Sequence, residues 1–99
     1  MARLAFLALL FLSTSALAQY VEEILPLETK VVHLVNELRS RFRADPERLK
    51  ALEQSHDAWN VYRNGQCTVE SAKGGKTAFA RCTRRVLDLR VKELEALVE

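Results

Sequence analysis

Apolar residues recur along most of this chain in steps of three and four, and this spacing limits the possible fold more than any other feature. Such steps place the residues on one face of a helix. No stretch alternates apolar and polar residues for long enough to predict a strand. A first helix is predicted from Leu25 to Arg43, with Pro26 in its first turn, where proline is tolerated. Its apolar face comprises Ile24, Leu27, Val31, Leu34, Val35, Leu38 and Phe42.

A second helix is predicted to begin at Pro46. Asp45 is a suitable N-cap, proline at the first helical position loses no hydrogen bond, and Glu47 places a negative charge at the positive end of the helix. The helix continues through Gly65, and Trp59 and Tyr62 are both expected to be buried. Its periodic face comprises Leu49, Leu52, His56, Trp59, Arg63 and Cys67, with Ala58 and Tyr62 beside it.

Gly74 and Gly75 form the clearest break after residue 18, because glycine adopts a positive φ at little cost. Thr77 is a candidate N-cap for a third helix that ends near Leu97. The short turn predicts an antiparallel hairpin of the second and third helices. The periodic face of the third helix comprises Phe79, Cys82, Val86, Leu89, Glu93, Leu94 and Leu97.

The first eighteen residues have the pattern of a secretory signal peptide. Arg3 precedes an apolar run that is shorter than the roughly 18 residues of a spanning helix, and Ala16 and Ala18 form a small-x-small cleavage site before Gln19. No cysteine follows the cleavage site to carry a lipid. We therefore expect a signal peptide over residues 1–18, one helical domain over residues 19–99, a periplasmic or secreted location, and no stable membrane anchor after cleavage.

Cys67 and Cys82 are the two cysteines of the chain. In an exported protein, two cysteines are more naturally a disulfide than a reactive pair. They are too far apart for CxxC redox chemistry and too few for a structural zinc site. Both lie near the turn of the predicted hairpin, on facing stripes. The chain is therefore predicted to be all-α: a small three-helix bundle with a disulfide-stapled C-terminal helical hairpin.

No pattern in the sequence predicts catalysis, a metal or a cofactor. His33 and His56 have no partners at metal-ligand spacing. Ser55 and Asp57 flank His56 on one helix, where successive residues point about 100° apart and cannot form a triad. Residues 74–77 lack the strand and upstream glycine of a phosphate-binding loop. Basic residues are mixed with acidic ones, and the net charge is only +2, so no nucleic-acid partner is expected. Protein binding remains the leading class of function.

One stretch resembles a known family. The residues that carry the resemblance are Ser55, His56, Asp57, Ala58, Trp59, Asn60, Val61, Tyr62 and Arg63, followed by Cys67, Gly74, Gly75, Cys82, Arg90 and Leu94. They resemble the LprI-like family of exported bacterial proteins, whose pattern is roughly A-W-x-x-Y-R-x-x-x-C, a Gly-Gly turn, a second cysteine and a later R-x-x-x-L. The resemblance is strongest over residues 52–97.

The chain departs from the family pattern at a few positions. His56 stands where the family commonly has glutamine, Asn64 stands where it has an acidic residue, and a further cysteine pair of many members is absent. The namesake is a lipoprotein regarded as a lysozyme inhibitor. The resemblance implies an exported, non-enzymatic protein-binding domain with lysozyme as a candidate partner. The alternative is an accessory envelope protein that packs on a larger partner, which exposed apolar residues on the first helix, such as Val32 or Leu34, would favour.

The motif residues also have two interpretations. In the structural one, Trp59 anchors the core, while Tyr62 and Arg63 pack their stems and hydrogen-bond the hairpin backbone or Glu93. In the functional one, Arg63 is presented to the acidic cleft of a lysozyme-type enzyme. We expect Trp59, Tyr62, Arg63, Gly74, Gly75, Arg90 and Leu94 to be structural.

Overall fold

The protein folds as three helices, seen in a computed structural model that describes residues 18–99. Helix α1 is Leu25–Arg41, α2 is Pro46–Ser71 and α3 is Gly75–Val98, and one π-helical turn, Tyr20–Ile24, leads into α1. The described part contains no strand. The predicted all-α three-helix architecture is confirmed. Apart from Ala18, the predicted signal peptide lies outside the described residues.

The third helix packs against both of the others, whereas α1 and α2 contact each other much less. Two contacts fix the direction of α1 along α3. Arg84 pairs with Glu23 at 3.4 Å near their N-terminal ends, and Arg41 Nη1 donates to the carbonyl oxygen of Val98 at 2.6 Å near their C-terminal ends. Helices α1 and α3 are therefore parallel, and α2 runs antiparallel to both.

Helix α2 begins where the sequence predicts. The Asp45 carboxylate accepts a hydrogen bond from the backbone N–H of Arg48 at 3.1 Å, and Pro46 occupies the first helical position. The predicted cap of α3 is wrong. The helix begins at Gly75, two residues before Thr77, and no side chain caps it. The left-handed backbone of Gly75 reverses the chain earlier than a threonine cap would.

The core comprises one stripe from each helix. Its buried apolar residues are Ile24, Val31, Leu34, Val35, Leu38, Leu52, Trp59, Cys67, Cys82, Val86, Leu87, Val91 and Leu94. The α1 face is confirmed, with Leu27 and Phe42 packed at its edge. The α3 face is partly wrong, since Phe79, Leu89 and Leu97 are exposed.

The error on α3 has a physical cause. This helix contacts two neighbours, so its buried face is wider than one stripe and is rotated from the predicted one. It adds Thr83, Leu87, Arg90 and Val91 to the interior. Thr83, Leu87 and Arg90 each follow a residue of the predicted stripe by one position, so the buried face extends to one side of that stripe.

The predicted disulfide is present. Cys67 and Cys82 are bonded, with their Cα atoms 5.4 Å apart and both side chains fully enclosed. It joins the last third of α2 to the first third of α3. Among residues 18–99, no helix is both long and apolar enough to cross a membrane.

The disulfide should supply much of the stability. Closing a loop of this length contributes about 3 kcal/mol by restricting the unfolded chain, and 15 positions separate the two cysteines. Replacing both cysteines with serine should therefore lower the melting temperature by about 10 °C or more. Reductant should lower the melting temperature of the unmodified protein and leave that of the double variant unchanged. Equal melting temperatures for the two proteins would contradict the prediction.

Candidate functional site

The family-like residues lie in two places. Trp59, Arg63, Arg90 and Leu94 belong to the interior where the three helices meet, and the two cysteines and two glycines belong to the closed end of the hairpin. Tyr62 belongs to neither group, because 56% of its surface is exposed. The prediction that Tyr62 is buried is wrong: Trp59 and Arg63 take the inward positions of this turn of α2.

Two guanidinium groups and one imidazole lie around the indole of Trp59. The guanidinium carbons of Arg63 and Arg90 lie 5.6 Å and 5.5 Å from its ring centroid, within the range of cation–π attraction. The His56 ring stacks on the indole, with centroids 5.8 Å apart and planes inclined by 13°. We call these four residues, His56, Trp59, Arg63 and Arg90, the Trp59 cluster. Arg63 follows Trp59 by one helical turn, which explains their contact.

Arg63 is used inside the molecule. Its Nη2 donates to Oε1 of Glu28 on α1, and the two side chains are only 21% and 27% exposed. The prediction that Arg63 bonds to the hairpin backbone or to Glu93 is wrong. Glu93 instead lies 3.6 Å from Arg90. The Arg63 guanidinium is hydrogen-bonded to Glu28 and lies against the Trp59 ring, so it is not directed toward a partner.

A second ion pair ties α1 to α2 nearer the connecting loop. Arg39 donates from Nε and Nη2 to the two carboxylate oxygens of Glu53 at 2.5 Å and 3.0 Å. The hydrogen bond from Arg39 holds the pKa of the Glu53 carboxyl below its ordinary value. Sequence reasoning missed this pair, and no local signal reveals it, because the two residues are 14 positions apart on different helices.

Two polar atoms of the Trp59 cluster are buried without a hydrogen-bond partner among the described residues: Nδ1 of His56 and Nε of Arg90. Burial lowers the pKa of His56, and the positive charges of Arg90 and Arg39 lower it further. The nearby carboxylates of Asp57 and Glu53 act in the opposite direction but do not outweigh these effects. The imidazole of His56 is therefore held in its neutral form more strongly than a solvated one.

The glycines at the closed end of the hairpin have separate roles. Gly75 has φ of +66°, which side chains rarely adopt. At Gly74, a Cβ atom would lie 2.5 Å from Cβ of Ala78, so the close approach requires glycine. Both positions therefore explain why the turn can be so short.

An ion pair joins the two helices at the closed end of the hairpin in addition to the disulfide. Arg85 donates two hydrogen bonds to the Glu70 carboxylate, at 2.9 Å and 2.5 Å. These bonds, with a further one from Gln66, lower the pKa of Glu70 to about 2. The charge of Glu70 is thus balanced within the protein, and the hairpin is fixed on two sides.

The described residues hold no group of three or more His, Cys, Asp and Glu side chains that could bind a metal ion. Ser55 and Asp57 are exposed on either side of the partly buried His56. The Trp59 cluster itself is a packed group of cationic and aromatic side chains.

Comparison with known proteins gives one finding. The model of the family described as "Lysozyme inhibitor LprI" matches residues 14–94. The match spans α1 and α2 and most of α3, whereas the motif residues cover only the last two helices. No curated protein and no solved structure matches the chain.

The Arg63–Glu28 pair should be a measurable part of the stability. Arg63→Ala leaves a partly buried carboxylate without its partner and removes a cation from the Trp59 face, so we expect a loss of about 1–3 kcal/mol in the free energy of unfolding. Arg43→Ala, which removes an exposed arginine, should change it by less than about 0.5 kcal/mol. A double-mutant cycle with Glu28→Ala should show coupling. Additive effects would contradict the pairing.

His56 should make stability depend on pH. Because its pKa is lower in the folded protein than the ordinary 6.5, the unfolded chain binds the proton more readily. The free energy of unfolding should therefore be highest above about pH 6.5 and fall as the pH drops below it. Urea unfolding should show this fall, and His56→Gln should remove it. The matched variant His33→Gln, at an exposed histidine, should retain it. An unchanged fall in His56→Gln would contradict the assignment.

Proposed function

We propose that the protein is an exported, non-enzymatic inhibitor of lysozyme, since the chain belongs to the lysozyme inhibitor LprI family. The match over residues 14–94 is the observation that carries this proposal. The signal-peptide pattern of residues 1–18 supports export to the periplasm or beyond. A disulfide is also more typical of an exported protein than of a cytosolic one.

We propose that inhibition acts through surface complementarity. Lysozyme-type sites carry a pair of carboxylates in a cleft, so a complementary surface needs exposed positive charge on a narrow, rigid element. Arg63, the candidate from the sequence, does not provide it, because it is bonded to Glu28. An inhibitory surface should therefore use cations that no acidic side chain neutralises.

The closed end of the hairpin has this character. We define the hairpin tip as residues 71–77. From Ser71 to Leu87 the chain has five basic residues and no acidic one. Lys73 and Lys76 are exposed, and neither forms an ion pair within the described part of the chain. The nearest acid in the sequence, Glu70, is bound by Arg85.

The tip is also narrow and held in place. Ala72, Gly74, Gly75 and Ala78 contribute little side-chain volume, so the two lysines project from a slender turn. The disulfide and the Arg85–Glu70 pair fix the two helices just behind it. A surface that is ordered before binding loses less conformational entropy on association. The tip therefore suits insertion into a carboxylate-bearing cleft.

A second candidate function is packing on a larger envelope protein, and one observation favours it. Leu25 and Val32 lie seven residues apart on α1, hence on one face, and both are exposed. Val32 is 57% exposed, whereas Leu34, the other residue considered from the sequence, is buried. If this face binds the partner, Val32→Glu should abolish the interaction, while substitutions in the tip should not.

Inhibition is tested with the exported protein purified without its signal peptide. It should slow the clearing of a cell-wall suspension by lysozyme and release or absorb heat on titration with lysozyme. Lys73→Glu combined with Lys76→Glu should weaken inhibition by about tenfold or more, because it places negative charge against the cleft.

The matched control reverses the same number of charges at the opposite end of the bundle. Arg43→Glu combined with Lys50→Glu should retain inhibition and have the same net charge as the tip variant. No slowing at large molar excess, with no heat of binding, would refute the proposed function. Equal losses in the two variants would refute the assignment of the tip.

A further inference from the structure

Arg90 is a buried charge that the protein leaves poorly compensated. Its side chain is only 7% exposed, and it forms no hydrogen bond with any described residue, although a guanidinium carries five N–H donors. The acidic group nearest to it is Glu93, 3.6 Å away and itself 63% exposed. The face of Trp59 offers attraction but accepts no conventional hydrogen bond.

Buried charges are normally paired and hydrogen-bonded, because removal from water is costly. Arg90 departs from this rule on α3 at a position fixed by its neighbours Val86 and Leu94, which are both buried. The fold therefore gives this guanidinium one exposed carboxylate, Glu93 at 3.6 Å, and no hydrogen bond among the described residues. Its donor capacity is left largely unused, so a further anion from outside the chain could bind there.

A surface groove leads to Arg90 between α2 and α3. Its volume is about 430 Å³, and its walls include the apolar side chains of Phe42, Leu52 and Leu97. Arg48 and Ser55 also line it, and no acidic residue does. Arg48 is 68% exposed, and its nearest carboxylate oxygen is 3.9 Å away on Asp45. The groove thus combines two cations, a hydroxyl and an apolar wall.

We propose that this groove binds a carboxylate carried on a small apolar group. The carboxylate would accept hydrogen bonds from Arg90, with Arg48 and the Ser55 hydroxyl as further donors, since the planar guanidinium matches a carboxylate with two parallel bonds. The apolar group would lie against Phe42, Leu52 and Leu97. Inorganic phosphate would satisfy the cations but not the apolar wall. The ligand is thus a carboxylate of a small molecule or a carboxylate exposed on a protein partner.

The groove lies far from the hairpin tip along α2, so ligand binding there can be tested independently of lysozyme inhibition. Tryptophan fluorescence reports binding in the groove, because Trp59 is the one tryptophan of the chain and lies against Arg90. A ligand that bonds to the guanidinium changes the charge above the indole. The purified exported protein should therefore show a saturable change in tryptophan emission with N-acetyl-leucine.

The uncharged analogue N-acetyl-leucinamide should produce no such change, and inorganic phosphate should bind more weakly than N-acetyl-leucine. Arg48→Ala and Ser55→Ala should each weaken binding, the first by about tenfold, the size of one charge-assisted hydrogen bond. Lys50→Ala, which removes a neighbouring exposed cation outside the groove, should leave affinity unchanged. Arg90→Lys should also weaken binding. If the Arg90→Lys protein does not fold, Arg48→Ala and Ser55→Ala still test the proposal.

Four results would overturn the proposal. Three of them are equal responses to the acid and the amide, no saturable response to the acid, and equal affinities of Arg48→Ala and Lys50→Ala. Phosphate binding as tight as that of N-acetyl-leucine would also overturn it, because the site would then be a general anion site. Loss of N-acetyl-leucine binding in the presence of lysozyme would identify a carboxylate on that protein as the source, and retained binding would exclude lysozyme as the source.

Discussion

The contact of three helices around Trp59 is the interaction on which the rest of the structure depends. Helices α1 and α2 have few direct backbone contacts, so side chains join them. Trp59 supports this junction by holding Arg63, which reaches Glu28 on α1, and by meeting Arg90 from α3. A smaller residue at this position would leave two guanidinium groups facing a cavity. The indole therefore fills volume and compensates charge at once.

This arrangement also explains where sequence reasoning succeeded and failed. The N-cap at Asp45 and the apolar face of α1 are local properties, and both were predictable. The interior of α3 was not, because spacing does not reveal that a helix has two neighbours. Leu87 and Val91 are buried for that reason, while Leu89 is exposed.

The polar contacts of the site were still less predictable. Glu28 and Arg63 are 35 positions apart, so nothing in either local sequence links them. Tyr62 shows the converse: it stands in the middle of the family motif, yet the fold leaves it outside the core. Motif membership indicated which residues matter for the family, but only the packing separates those that build the interior from those that face solvent.

Two groups of basic residues differ in how the fold uses them. Arg39, Arg63 and Arg85 donate hydrogen bonds to carboxylates of neighbouring helices and are therefore parts of the scaffold. Arg90 and the two lysines of the hairpin tip form no such bonds within the described residues. Binding energy for a partner must come from groups that the fold has not already satisfied. The proposed surfaces follow from that distinction, and they lie at opposite ends of one rigid hairpin.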